Sequence, residues 1–272
     1  MRIAVCWTFD KAKTIFDDWR DGVKASFEII ALKHRVDWIL GDDCWTADLD
    51  KYDAVVQWDN STNAYTKYLS KFSNPRKCLI LTTELGLSID NLRNYDVVYC
   101  EATPVQNAIK PHGLRTLLAF GTDTEFFKPD DTVKDIKYLC VGTFSPWKQQ
   151  RKLAHLGKDL YCVGSLQPDG REDYQAVVDA GATVELGYFP VSHIRDLYRR
   201  AEHVVIPGYE GSGRTVIEAL SMGLPVEVSL DNHKCQSYLK EFKASGMEPR
   251  EFAVAHYSAQ GYADSLMKGI DG

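Results

Sequence analysis

Two glutamates, Glu210 and Glu218, are separated by seven residues in the stretch GYEGSGRTVIEAL, bracketing two glycines, a serine and an arginine. Gly211 and Gly213 permit positive φ and let a ligand approach the backbone with no Cβ in the way. Ser212 offers a helix cap, and the amides of Gly213, Arg214 and Thr215 would then point out of the positive end of a helix. Such a terminus takes an anion, phosphate above all. Glu218, about one turn into the helix, suits a pair of neutral hydroxyls better than the phosphate itself, and Glu210 lies ahead of the turn. A ligand satisfying every group carries phosphates at its centre and hydroxyls on both sides. A nucleotide-sugar has that form, with ribose toward Glu218, diphosphate over the glycines and sugar toward Glu210.

The elements that must hold this turn recur along the whole chain. Apolar or β-branched runs alternate with helical patterns: RIAVCW (2–7), a helix near 18–32, RVDWIL (35–40), DAVVQW (53–58), a polar helix near 61–72, KCLILT (77–82), DVVYC (96–100) and RTLLAF (115–120). Strands without polar alternation, separated by helices, predict parallel sheets buried on both faces. FFKPDDTVKD (126–135) interrupts the series with a proline and charges. A second series follows: IKYLCVG (136–142), a basic helix near 147–157, DLYCVG (159–164), helices near 170–180 and 191–201, TVELG (183–187), HVVIPG (203–208), the helix opened by the glycine turn, and PVEVS (225–229). The expectation is two Rossmann-like parallel-sheet domains of an α/β protein facing each other across a cleft. Their expected extents are 1–127, a linker at 128–135, and 136–255, with a C-terminal helix over 256–272 crossing back to the first domain. In open parallel sheets ligands bind beyond the carboxyl ends of the strands, where the glycine turn falls.

The bulk numbers bound the class. The chain has 272 residues, 44% hydrophobic and 26% charged, with a formal net charge of −6. An acidic balance argues against wholesale nucleic-acid binding, which shows a basic domain or stripe. Seven cysteines, with no C-x-x-C pair and no zinc spacing, read as buried thiols of a reducing compartment. No run approaches 18 apolar residues, and MRIAVCWTFD is too short in apolar length for a signal peptide. The expected location is cytoplasmic, with a peripheral membrane association left open.

The segment EGSGRTVIEALSMGLPV resembles the E-x7-E signature of the retaining family 4 glycosyltransferases of GT-B fold, through Glu210, Gly213, Glu218, Ala219, Gly223, Pro225 and Val226. YLCVGTFSPWKQQRK (138–152) is similar to that family's strand–glycine–lysine segment, FGTDTEFFKP (120–129) to its link between halves, and the stretch 184–211 to its run into the signature. The resemblance implies a retaining, metal-independent transfer of a sugar from a nucleotide-sugar, with the second domain holding the donor and the first the acceptor. It implies that Glu210 lies against the sugar near the anomeric carbon and that Gly211, Ser212, Gly213, Arg214 and Thr215 hold sugar and diphosphate. Glu218 would bind the ribose, and Lys148, beside Gly142 and Thr143, would neutralise the leaving diphosphate. Tyr188 and Phe189 would border the base. The expected co-substrate is a UDP-sugar first, with GDP- and ADP-sugars as alternatives, and no cofactor or metal is required.

The chain departs from that pattern in three places. Thr143 stands where the family has an arginine, leaving Arg151 or Arg214 to compensate. CWTFDKAK replaces a glycine-rich loop after the first strand, and LTTELG puts Glu84 where a histidine is usual. Asp59 and Glu84, at strand ends of the first domain, are the acceptor-side candidates. Core packing is the reading for Trp7, Trp19, Trp38, Trp45 and Trp58, with a carbohydrate-lined cleft as the alternative. Asp48 and Asp50 spell D-x-D but precede a strand, which reads as a solvated loop. The clusters WKQQRK and YRR read as solvated helix faces, with anionic acceptors or headgroups as the alternative. The acceptor is open among saccharide, lipid, protein, small molecule and modified base, and no oligomeric state follows. Two other readings stay open: a nucleotide-sugar epimerase of the same architecture, and a non-catalytic nucleotide-sugar binder.

Overall fold

The computed structural model describes residues 1–58, 63–83, 88–209 and 213–272, with Asn63 by its backbone only. The chain divides into two compact units, one of Met1–Thr122 with Ser258–Gly272 and one of Asp123–Tyr257.

The first unit contains β1 (Arg2–Trp7), α1 (Ala12–Ile15), α2 (Gly22–Ile30), β2 (Arg35–Leu40), β3 (Ala54–Trp58), α3 (Asn63–Leu69), β4 (Arg76–Leu81), α4 (Ile89–Leu92), β5 (Val97–Cys100), α5 (Thr103–Ile109) and β6 (Thr116–Leu118). Its sheet has the order β2-β1-β3-β4-β5-β6, and every pairing is parallel. The continuous apolar runs follow from burial on both faces: every residue of β3 and β5 is buried.

The strand order reverses between β1 and β3, and there Trp7 pairs in register with Trp58. The two indoles lie 4.4 Å apart between centroids and are 5% and 3% exposed. Trp19 and Trp38 pack against the same cluster. Trp7 and Trp58 are core where the strand order reverses, Trp19 and Trp38 are partly buried against them, and Trp45 stacks edge-on to Tyr65. Asp50 accepts from the Ser73 and Asn74 amides, so the D-x-D aspartate braces a turn.

The second unit contains β7 (Ile136–Val141), β8 (Leu160–Gly164), α6 (Arg171–Asp179), β9 (Thr183–Leu186), α7 (Val191–Arg200), β10 (Ala201–Ile206), α8 (Arg214–Ser221), β11 (Val226–Val228), α9 (His233–Ser245) and α10 (Pro249–Tyr257). The sheet is again wholly parallel, in the order β11-β10-β7-β8-β9. The helix expected near 147–157 is instead a 3₁₀ segment, Gln150–Asp159. Gln149 takes a left-handed φ of 56° just before it, and Gly157 breaks it at φ 54°, ψ −130°.

All seven cysteines are buried, and none forms a disulfide. Helix α11 (Ala259–Asp271) completes the first unit: the Ser26 hydroxyl donates to the Ala259 carbonyl and the Tyr99 hydroxyl to that of Leu266. Among the described residues no helix is long and apolar enough to cross a membrane.

The arginines of the YRR cluster are used to hold the segment after Asp123. Arg199 pairs with Asp130, and Arg200 grips Asp135 with two 2.8 Å hydrogen bonds. The Arg200 guanidinium holds the Asp135 carboxyl below its ordinary 3.8. A carboxyl lowered on folding contributes stability above its unfolded value and loses it as pH falls through the folded one. The urea midpoint is therefore expected to fall as pH drops below about 3.8, and Arg200→Met should flatten that limb. A midpoint that falls equally steeply in the variant would show that the pair does not contribute.

Candidate functional site

The order of the second sheet reverses between β7 and β10, which defines its crevice beyond the carboxyl ends. The loops after these two strands are 142–149 and 207–213, and they carry Lys148 and the glycine turn. The structure laces them together. The Tyr209 amide donates to the Trp147 carbonyl at 2.8 Å. Gly208 lies so close that a Cβ there would meet the carbonyl oxygens of Trp147 and Lys148 at 2.4 Å. Side-chain-free backbone at Gly208 is what lets the lysine loop and the glycine turn share one place.

The loop after β7 is braced on its other side as well. Gly142 turns with φ 151°, and its carbonyl lies 2.1 Å from where a Cβ on Gly164 would be. The Phe144 amide donates to the Ser165 carbonyl at 2.7 Å, and the Thr143 hydroxyl bonds that of Ser165 at 2.9 Å. The Lys148 amide donates to the Ser145 carbonyl, closing the turn that presents the lysine. Thr143 thus serves the loop and offers no cation. Arg151 does not replace one here: its guanidinium pairs with Glu172 and its amide donates to Asp173, both at the start of α6. Lys152 pairs with Asp231, so these two cations of the WKQQRK cluster are paired within the protein.

Helix α8 begins at Arg214, and the cap position falls on Gly213, which has no side chain to give. Ser212, the cap expected from the sequence, lies outside the described residues. The first backbone bonds of the helix run from Val216 and Ile217 to the Gly213 carbonyl. The amides ahead of them point out of the positive end. Thr215 is 8% exposed beside them.

Glu218 is the fifth residue of α8, ~6 Å along its axis from Arg214. It is 6% exposed, and the hydroxyl of fully buried Tyr198 donates to its Oε2 at 3.2 Å. Tyr198 in turn packs edge-on against Phe127, whose carbonyl accepts from Ser221 and Arg250. A carboxylate this buried and this held is a fixed acceptor, suited to orient hydroxyl groups.

Tyr188 is carried beyond β9, two strands from β7 and so ~10 Å across the sheet. It is 70% exposed on a braced turn. Phe189 stacks on His193 at 4.9 Å, and His193 and Tyr161 both bond the Glu185 carboxylate. Burial works to raise the Glu185 carboxyl, but these hydrogen bonds outweigh it and hold the group low. Phe189 therefore serves as a strut of the turn.

The structure thus brings Gly142, Thr143, Lys148, Gly213, Arg214, Thr215 and Glu218 to one edge of one sheet, with Tyr188 farther along it. Glu210, Gly211 and Ser212 lie outside the described residues, as do the acceptor-side candidates Asp59 and Glu84. Sequence reasoning missed Tyr198, Asn232 and Tyr238. The Asn232 amide donates to the Gly208 carbonyl at 2.8 Å, and Tyr238 lies where a Cβ on Gly213 would be, at 2.0 Å. Only Asn232 left a signal, as a capping residue ahead of an undetected helix. Among the described residues no group of three or more His, Cys, Asp or Glu could hold a metal ion.

No protein-family signature matches the chain, and no curated protein matches its sequence. Solved structures do match its fold from end to end. Sucrose-phosphate synthase from Thermosynechococcus elongatus is similar with a TM-score of 0.69 and 14% identity, over 98% of this chain and 98% of that one. AviGT4, a glycosyltransferase involved in avilamycin A biosynthesis, is similar at 0.66 and 13%, over 100% and 97%. An α-glucosyltransferase solved with UDP and a 13-mer DNA containing a HMU base is similar at 0.63 and 12%, over 100% of both chains. These neighbours are GT-B glycosyltransferases, and the two wholly parallel α/β units of this chain have their fold.

Proposed function

We propose that the chain is a retaining glycosyltransferase that moves a sugar from a nucleotide-sugar, a UDP-sugar first, to an acceptor without a metal. The observation that carries this reading is the lacing of the Lys148 loop to the glycine turn at the crevice of the second sheet. In this reading the lacing holds the Lys148 cation near the positive end of α8 and the carboxylate of Glu218. The family 4 E-x7-E pattern at Glu210 and Glu218 and the glycosyltransferase neighbours support the same reading.

In this reading the second unit binds the donor. The bond from the anomeric carbon to the β-phosphate oxygen breaks, a bond to the acceptor oxygen forms, the acceptor's hydroxyl proton passes to the departing phosphate oxygen or to solvent, and the nucleoside diphosphate departs as an anion. Lys148 and the amides at the start of α8 stabilise the charge that develops on it. Glu218 fixes the ribose hydroxyls, Tyr188 borders the base, and Glu210 takes the sugar side. The first unit supplies the acceptor surface, with Asp59 and Glu84 as its candidates.

The test is nucleotide release from UDP-, GDP- and ADP-sugars by the wild type and by Glu218→Ala. One nucleotide class is expected to bind and turn over, with the donor KM rising about 10- to 100-fold in the variant, as loss of a charged hydrogen-bond acceptor predicts. Failure of every nucleotide-sugar to bind would sink the proposal.

A further inference from the structure

We propose that Tyr198 is a positioning residue of the donor site. Its hydroxyl holds the Glu218 carboxylate in the orientation that accepts from a ribose diol, and so sets the preference for a ribonucleotide over a 2′-deoxyribonucleotide. The inference rests on the donor-site reading above.

Both side chains belong to the second unit, on the helices that precede and follow β10. A carboxylate leaves water at a cost that hydrogen bonds must offset. The orientation of buried Glu218 is therefore set by the donors the protein gives it. Tyr198 is one of them, with its hydroxyl 3.2 Å from Oε2.

The phenol itself has little freedom. Its ring packs edge-on against that of fully buried Phe127, with 6.0 Å between centroids. The Phe127 amide donates to the Asp123 carbonyl at 2.8 Å. The Phe127 carbonyl accepts from the Ser221 hydroxyl at 2.5 Å and from Arg250 Nη1 at 3.3 Å. That same Nη1 donates to the Ser221 carbonyl at 2.9 Å. Ser221 follows Glu218 by three residues and shares its face of α8. Ser221 thus fixes the rotation of that face toward Phe127, and Tyr198, seated on Phe127, fixes the carboxylate that the face carries.

Packing alone does not ask for this pair. Phenylalanine and methionine would fill the same space with no polar atom to satisfy. An ionised carboxylate has about four lone-pair sites, so the bond from Tyr198 is compatible with a visiting ligand. The terminal torsion of a glutamate is broad, and a diol is met well only when the two oxygens are held at one angle. The Tyr198 hydroxyl supplies that restraint.

The test measures the affinities of UDP, 2′-deoxy-UDP and inorganic pyrophosphate by calorimetry, for the full chain and for Tyr198→Phe. The ratio of UDP to 2′-deoxy-UDP affinity is expected to fall about three- to tenfold in the variant, the scale of one hydrogen bond. Pyrophosphate affinity should be unchanged, because in the donor-site reading the diphosphate lies over the amides of α8 and away from Glu218. A wild-type ratio in folded Tyr198→Phe overturns the proposal, whether the three affinities are all kept or all fall alike. A wild type with no preference for UDP overturns it as well.

Where Tyr198→Phe does not fold, the comparison moves to the Glu218→Gln background. A neutral amide is less costly than a carboxylate to leave short of a partner. Adding Tyr198→Phe there is again expected to lower the ratio, and an unchanged ratio overturns the proposal. The parent reading fails separately. A protein that prefers UDP through Tyr198 but releases nucleotide from no nucleotide-sugar keeps the ribose site and loses the transferase. Turnover of a nucleotide-sugar with a ratio indifferent to position 198 does the reverse.

Discussion

Lys148→Ala is expected to slow sugar transfer about 10²- to 10³-fold, the loss typical when one preorganised charge-stabilising group is removed. The expectation follows from where the charge appears. In the bound donor the diphosphate already carries negative charge, but breaking the anomeric bond adds more at the departing oxygen. A fixed ammonium gains most at that point, so kcat should fall far more than donor affinity. The loop gives reason to treat the ammonium as fixed. Its backbone closes on Ser145, is tied to Ser165 through Phe144, and accepts the Tyr209 amide at Trp147. Presteady-state transfer rates and separately measured uridine affinity decide the matter. Equal losses in rate and in uridine binding would make Lys148 a structural residue.

Gly208→Ala is expected to destabilise the protein by about 3 kcal/mol, at the upper end for overpacking. The melting temperature should drop by ~6–12 °C. The new methyl would meet two backbone carbonyl oxygens at 2.4 Å, and neither can rotate away as a side chain can. Relief requires parting the Lys148 loop from the glycine turn, so donor binding should fall with stability. Gly223→Ala is the control. Its φ of 73° favours glycine, yet a Cβ there meets nothing within 4 Å. That variant should cost only ~1–2 kcal/mol, the penalty of a left-handed backbone, and leave binding intact. If both variants melt alike, close packing at Gly208 is not what joins the loops.

The strands were legible because parallel strands buried on both faces must be continuously apolar, as RIAVCW and DAVVQW are. The crevice of the second sheet was legible too, since its glycine turn follows a strand and opens a helix. What lay hidden were contacts between loops distant in sequence. Nothing in WKQQRK announces that Gln149 turns left-handed and that no α-helix follows. Tyr198 reads as one of several polar residues on an amphipathic helix, and only packing reveals that its hydroxyl holds Glu218.

The placement of the tryptophans also gives the two units different optical characters. Trp7, Trp19, Trp38 and Trp58 lie within a few ångströms of one another in the first unit, with Trp7 and Trp58 only 4.4 Å apart. Close indoles share excitation, so their near-ultraviolet dichroism belongs to the cluster and reports on the integrity of that sheet. Trp147 is the one tryptophan of the second unit, 45% exposed and next in the chain to Lys148. At that exposure its emission is expected to be that of a hydrated indole, as is that of Trp45, 37% exposed in the first unit. The lysine loop therefore carries its own fluorophore, and Trp45→Phe would leave it as the main exposed indole.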